Sequence, residues 1–264
     1  MSPLPKEGGD GFDAPGGRTE RHDTLPRLRR RTLVVLTVGQ IFGGLGVGAT
    51  LSVGAVAANE LAGAAWSGIA ATVMTLGAAV VAVPLAQLAD RKGRRVSLST
   101  AALMAAAGAA VCVLALSAGS VVLLFTGLGL IGAATAAGLQ SRFAATDLAS
   151  VTSRGRDLSL VVWSTTIGAV TGPNLAEPGN VLGAALGLPP LAGVFLFPVV
   201  SQVLAAVAYL IWMRPDPLLE SRRLTALADL GRAGRRRPTV VSATRRWCGW
   251  RSLPSRSASL PWSR

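Results

Sequence analysis

Asp90, Arg91, Lys92, Gly93, Arg94 and Arg95 hold five charges in six positions, between two long segments that hold almost none. The chemistry open to such a set is ion pairing. An aspartate can sit against the N-terminus of a neighbouring helix, where negative charge is favoured. Arginines present planar forks that match carboxylates. Gly93 allows a turn that a Cβ would strain. Together these residues can latch helices to one another and release them when they move apart. Basic charge alone would equally fit a loop that only fixes the orientation of a membrane protein.

A second set is polar but uncharged and lies inside apolar runs: Gln40, Gln140 and Asn174. Amides in hydrocarbon must face protein or water. They are candidates for a substrate cavity or for hydrogen bonds between helices. Arg142 lies about six helical turns after Val121, close to the end of its run. It either reaches to the interface as an anchor or serves as a substrate or proton-coupling cation at the base of a cavity. Gly168 and Gly172 share one helical face and permit close packing. Pro173 removes a backbone donor and bends a helix.

Other chemistry is absent from the pattern. His22 is the only histidine, and Cys112 and Cys248 are the only cysteines. No metal-ligand spacing results, and the two thiols are expected to be unpaired. The apolar runs hold no paired carboxylates. No catalytic residue, metal or cofactor is expected, and the chain is not expected to be an enzyme.

The elements that position these residues follow from composition. The chain has 264 residues, 50% hydrophobic and 15% charged, with mean hydropathy +0.49. Soluble domains carry about 25% charged residues, so a chain this apolar could not keep a wet surface. The net charge of +13 would by itself suggest nucleic acid. The basic residues, apart from Arg142 near the end of its run, instead fall in the tails and short connections, and aromatics to stack on bases make up only 5%. No nucleic-acid partner is expected.

A span takes about 20 helical residues. Apolar runs of that order fall at about 32–58, 66–88, 96–116, 121–145, 158–175 and 191–213. Trp66 and Trp212 stand where interfacial anchors are expected. The first run exceeds the ~7–15 residues of a signal-peptide core, and further runs follow, so cleavage is not expected. The links after runs one, three and five contain no Lys or Arg, whereas the other links and both tails contain all of them but Arg142, near the end of run four. The positive-inside rule then puts both termini in the cytoplasm. The fold expected is an all-α integral membrane protein with six transmembrane helices.

Residues 1–31 are polar and read as a disordered cytoplasmic tail. Residues 217–264 read as a basic cytoplasmic tail. From 221 onward Arg, Ser, Pro and the three tryptophans Trp247, Trp250 and Trp262 occur without period. Two readings stand: a tail drawn to anionic lipid, or sequence read out of frame. The second fits the lack of pattern better.

The order Leu88-Ala89-Asp90-Arg91-Lys92-Gly93-Arg94-Arg95 resembles the signature loop of the major facilitator superfamily, Gly-x-Leu-Ala-Asp-Arg-x-Gly-Arg-Arg/Lys, and lies in the same place, between spans two and three. Ala86 stands where the family has glycine. Gly168-Ala-Val-Thr-Gly172-Pro173 resembles the Gly-xxx-Gly-Pro motif of the drug/proton antiporter branch. That branch usually has an arginine early in span four, and this chain has none there. The resemblance implies that Asp147 pairs with Arg94, and that spans one, two, four and five line the pathway.

It also implies a twelve-span transporter in two halves, with substrate bound between them. The resemblance covers about residues 32–216. The chain is therefore expected to be a truncated or frameshifted product, or a half that needs a missing second half or a second copy. The function implied is small-molecule transport by alternating access, most readily efflux by analogy, with protons as candidate coupling ions. The expected location is the plasma membrane, multi-pass, as in a bacterial inner membrane. The alternative is a six-span protein without transport activity, acting as an assembly or regulatory partner.

Overall fold

Lipid offers backbone N–H and C=O groups no partner, so apolar runs long enough to cross it become helices. The computed structural model describes residues 16–147, 149, 153–214, 216–223 and 225–226, with residues 16–26 described by backbone alone. Among the described residues there is no strand. The helices are α1 (Gly16–Ala62), α2 (Ala64–Lys92), α3 (Arg94–Ala118), α4 (Val121–Asp147), α5 (Arg154–Thr171), α6 (Ala176–Ala185) and α7 (Leu196–Trp212), with short 3-10 turns at Gly172–Leu175 and Ala192–Phe195. Among the described residues, five stretches are long and apolar enough to span a membrane: Arg27–Ala62, Ala64–Lys92, Arg94–Ala118, Val121–Asp147 and Ala192–Arg223.

Several boundaries differ from expectation. The expected tail covers residues 1–31. Residues 1–15 lie outside the described residues, and α1 already begins at Gly16. The expected fifth span, 158–175, is not among the five. Its α-helix has only 18 residues and begins at Arg154, with Arg156 and Asp157 in its first turn. Pro173 then interrupts the α ladder, because it has no N–H to donate, and a 3-10 turn follows. The connection expected at 177–190 is in part α6, where Pro178 sits in the first turn and its missing N–H costs no bond. The sixth run starts as a 3-10 turn and becomes α-helical at Leu196. The readings made for residues 227–264, including Cys248 and the three tryptophans, lie outside the described residues.

The described residues up to Thr225 belong to one compact unit. α1 packs against α2, α4, α5 and α7; α4 packs against α2 and α3; α7 packs against α1 and α3. No hydrophobic force separates helices from lipid tails, so small residues and tight packing hold such bundles together. A Cβ on Gly108 of α3 would meet Gly127 O of α4 at 2.6 Å, and one on Gly127 would meet Gly108 O at 2.7 Å. Gly119 ends α3 at φ 61, a left-handed conformation that leaves room for Ser120 N–H to reach Ala115 O at 2.9 Å.

The interior is built largely of alanine and falls into two clusters. One surrounds Leu36, Leu85, Leu98, Val161 and Tyr209, at the end that carries the α2–α3 turn. The other surrounds Leu124, Leu128, Ile131 and Phe195, towards the opposite end. Cys112 is buried and makes no disulfide among the described residues. Trp66 packs on Phe125 with ring centroids 5.7 Å apart. Large apolar side chains point outward in numbers that water would not tolerate, among them Val122, Trp163, Val80 and Val83.

Candidate functional site

Gly93 joins α2 to α3 at φ 92. Its N–H donates to Ala89 O at 2.9 Å, closing the last turn of α2. The space its Cβ would take is filled by a carboxylate: Asp216 Cγ would lie 2.5 Å and Oδ1 2.9 Å from it. Glycine is thus required by both backbone angle and space.

Asp216 follows α7 and serves two helix starts. Its Oδ2 accepts from Arg95 N–H of α3 at 2.7 Å. Its Oδ1 accepts from Leu218 N–H at 3.0 Å and Leu219 N–H at 3.5 Å, the opening of the helical residues 217–223. These are donors that helix geometry leaves without internal partners. Arg95 returns the contact: its Nε donates to Leu210 O at 2.9 Å, near the end of α7.

The remaining charges of the loop divide. Arg94 Nε donates to Asp147 Oδ2 at 3.1 Å, joining the first turn of α3 to the end of α4. Asp90 is exposed. Arg222 donates to its Oδ1 from Nη2 and to its backbone oxygen from Nη1, both at 2.8 Å. Arg91 and Lys92 are exposed, and among the described residues neither has an ion-pair partner.

A third ion pair ties α1 to α5. Arg29 meets Asp157 in fork geometry, Nε to Oδ2 at 2.8 Å and Nη2 to Oδ1 at 2.7 Å. Asp157 is almost wholly buried, so the guanidinium supplies the charge that makes its burial tolerable. A cavity of about 500 Å³ opens beside the pair, lined also by Arg30, Arg156 and Trp163.

The amide candidates are spread through the bundle. Gln40 is buried and joins three helices: its Nε2 donates to Tyr209 Oη at 3.3 Å, and its Oε1 accepts from Thr165 Oγ1 at 3.1 Å. Gly39 makes room for that tyrosine, whose ring a Cβ there would overlap. Gln140 is buried against Ser97, whose hydroxyl lies 2.7 Å from both Gln140 Oε1 and Leu85 O. One hydroxyl proton cannot serve both acceptors. Turning the amide lets Nε2, otherwise unpartnered, donate to Ser97 while Ser97 donates to Leu85. Arg142 is half-buried, with its Nε buried and without a partner. Asn174 is exposed, and its Nδ2 donates to Val170 O at 3.2 Å.

Gly168 and Gly172 lie against Gly44 and Gly48 of α1. A Cβ on Gly168 would meet Leu45 N at 2.6 Å, and one on Gly172 would meet Gly48 C at 2.6 Å; a Cβ on Gly48 would in turn meet Ala169 O at 2.5 Å. Backbone here touches backbone. Pro173 stands in the 3-10 turn that follows.

The loop, Arg94 and Asp147 therefore come together at one end of the bundle. Gln40 and Gln140 are buried in the bundle, Arg142 is half-buried and Asn174 is exposed. Sequence reasoning missed Asp216, Arg222, Arg29 and Asp157. The signal for Asp216 was present: Asp followed by Pro217 is a cap residue before a proline at the first helical position. Nothing local marks Asp157 as the partner of Arg29.

No family model matches this sequence. Over 200 residues it is 39% identical to the uncharacterized MFS-type transporter YdeG of Bacillus subtilis, covering 75% of this chain and 46% of that protein. Over 204 residues it is 39% identical to the uncharacterized MFS-type transporter YddS of the same organism, covering 77% of this chain and 46% of that protein. The chain spans about half the length of the curated relatives it matches.

Proposed function

Homology to two MFS-type transporters supports membership of the major facilitator superfamily, and from that premise we propose that this chain is a six-span half of a transporter that exports a small molecule by alternating access. The observation that carries the proposal is the Arg94–Asp147 pair, set in the loop whose residue order resembles the family signature. In this reading the pair and the Asp216 cap hold the cytoplasmic ends of α3, α4 and α7 as one body. The body rocks as a unit, and Asp90 and Arg91 face outward to engage what it rocks against.

The fifth span of this reading is the helical path from Arg154 through the 3-10 turn to Ala185. In this reading both termini are cytoplasmic, which the placement of Lys and Arg supports, and the membrane is a bacterial inner membrane. A second helical half completes the pathway, supplied by further chain or by a second copy. Two open faces support this. α2 is the least buried of the five apolar stretches, and its outer face carries Thr72 and Thr75. α5 and the turn after it expose Thr171 and Asn174. The close Gly168–Gly172 face supports the antiporter branch, with protons as the coupling ion.

The test is dye accumulation in bacteria that lack their own multidrug exporters. Cells making the protein should hold less of a lipophilic fluorescent cation, and Arg94→Ala should erase the difference. Unchanged accumulation across a dye panel, in cells that carry the inserted protein, would sink export. The topology is read separately with single cysteines. Position 119 should react with an impermeant maleimide from outside, and position 92 only after permeabilisation.

A further inference from the structure

The groove between α1 and α7 has a lining in a fixed order. Arg27, Arg30 and Arg31 come first, followed by Val34, Val35 and Val38. These positions recur at helical spacing, so one face of α1 supplies the whole stripe. Trp212 of α7 forms the opposite wall, and the space between is about 540 Å³. Val34 is 54% and Trp212 52% exposed, so the groove opens outward from the bundle. Arg95 reaches Leu210 O nearby, which puts the arginine end of the groove level with the charged loop.

The neighbouring Arg29 is neutralised by Asp157. Arg27, Arg30 and Arg31 have no ion-pair partner among the described residues. Three unpaired cations above an apolar trough follow the order of head and tail in a phospholipid. A free anion would leave the valine trough empty, and a neutral lipid would leave the cations without countercharge. Basic pockets between spans on the cytoplasmic side suit anionic headgroups, and tryptophan prefers the interfacial depth.

We propose that this groove binds one anionic phospholipid of the cytoplasmic leaflet, its phosphate among Arg27, Arg30 and Arg31 and an acyl chain along Val34, Val38 and Trp212. The proposal rests on the membrane orientation given above. It adds a lipid site that transport itself does not require.

The test uses the full chain in nanodiscs, with Trp212 as its sole tryptophan and the others changed to Phe. Fluorescence is titrated with brominated phosphatidylglycerol or brominated phosphatidylcholine. Quenching by the anionic lipid should need about fivefold less lipid, the effect of roughly one arginine near an anionic headgroup. The R27Q/R30Q/R31Q variant should lose that preference. Native mass spectrometry of the unaltered chain should retain phosphatidylglycerol over phosphatidylcholine, which guards against damage from the tryptophan changes. Equal quenching by both lipids overturns the site and leaves the membrane reading intact. A preference that survives the triple substitution overturns the assignment to these arginines. Absence of quenching by either lipid overturns the lipid-facing placement of α1 and α7 as well.

Discussion

Arg94 Nε lies 3.1 Å from Asp147 Oδ2, which ties the start of α3 to the end of α4 by a charge-assisted hydrogen bond. Both side chains are 15% exposed, between the open surface, where such pairs contribute little, and the interior. A double-mutant cycle with Arg94→Ala and Asp147→Ala should give a coupling of about 1 kcal/mol, read from unfolding of the purified protein. The charge swap Arg94→Asp with Asp147→Arg should recover part of the loss. Strictly additive single effects would mean that the two side chains do not support each other.

Two adjacent glycines of α1 should respond in opposite directions. A Cβ on Gly44 would stand 2.5 Å from Thr165 O and 3.2 Å from Ala169 N, both backbone atoms, whereas one on Gly43 meets nothing within 4 Å. Gly43→Ala should therefore stabilise by about 0.5–1 kcal/mol through helix propensity. Gly44→Ala must push α1 and α5 apart, at a cost of about 1–3 kcal/mol. Thermal midpoints in one detergent decide the matter. Shifts of the same sign would contradict the packing described.

Asp157 is 3% exposed and depends on Arg29 for countercharge. Arg29→Ala should cost about 3 kcal/mol, mostly from stranding the carboxylate rather than from losing the bond. That account makes a second prediction. Adding Asp157→Asn to Arg29→Ala removes the stranded charge and should restore much of the lost stability. If the double variant unfolds as readily as Arg29→Ala, the cost lies elsewhere.

The parts of the fold that were legible in the sequence were those with one dominant cause. Long uncharged runs gave helices α1 to α4 and α7, because nothing else can satisfy a backbone in lipid. Gly168 and Gly172 were readable as a packing face because their spacing puts them on one side of a helix. The fifth run was not legible, because Pro173 and Pro178 act in opposite ways. One breaks a ladder, and the other sits where no bond is lost. Partner choice was the hardest part. Arg94 and Arg95 are adjacent and alike, yet one serves Asp147 and the other a carbonyl of α7. Only the direction in which each leaves the start of α3 separates them, and that is a property of the packed bundle.

Asp216 gives the most demanding test, because it should act on a contact it does not touch. Its carboxylate accepts from Arg95 N–H, Leu218 N–H and Leu219 N–H and fills the space that Gly93 leaves open. Asp216→Ala should cost about 1–2 kcal/mol as a lost cap. If the carboxylate also positions the loop, the Arg94–Asp147 coupling measured in the Asp216→Ala background should fall towards zero. A merely local cap would leave that coupling unchanged. Gly93→Ala adds an independent check. In the parent chain it suffers both the overlap with Asp216 and the φ of 92. In the Asp216→Ala background the overlap is gone, while the backbone strain of about 1–3 kcal/mol remains. The substitution should therefore cost less there, though not nothing. Equal costs in both backgrounds would show that Gly93 and Asp216 do not share that space.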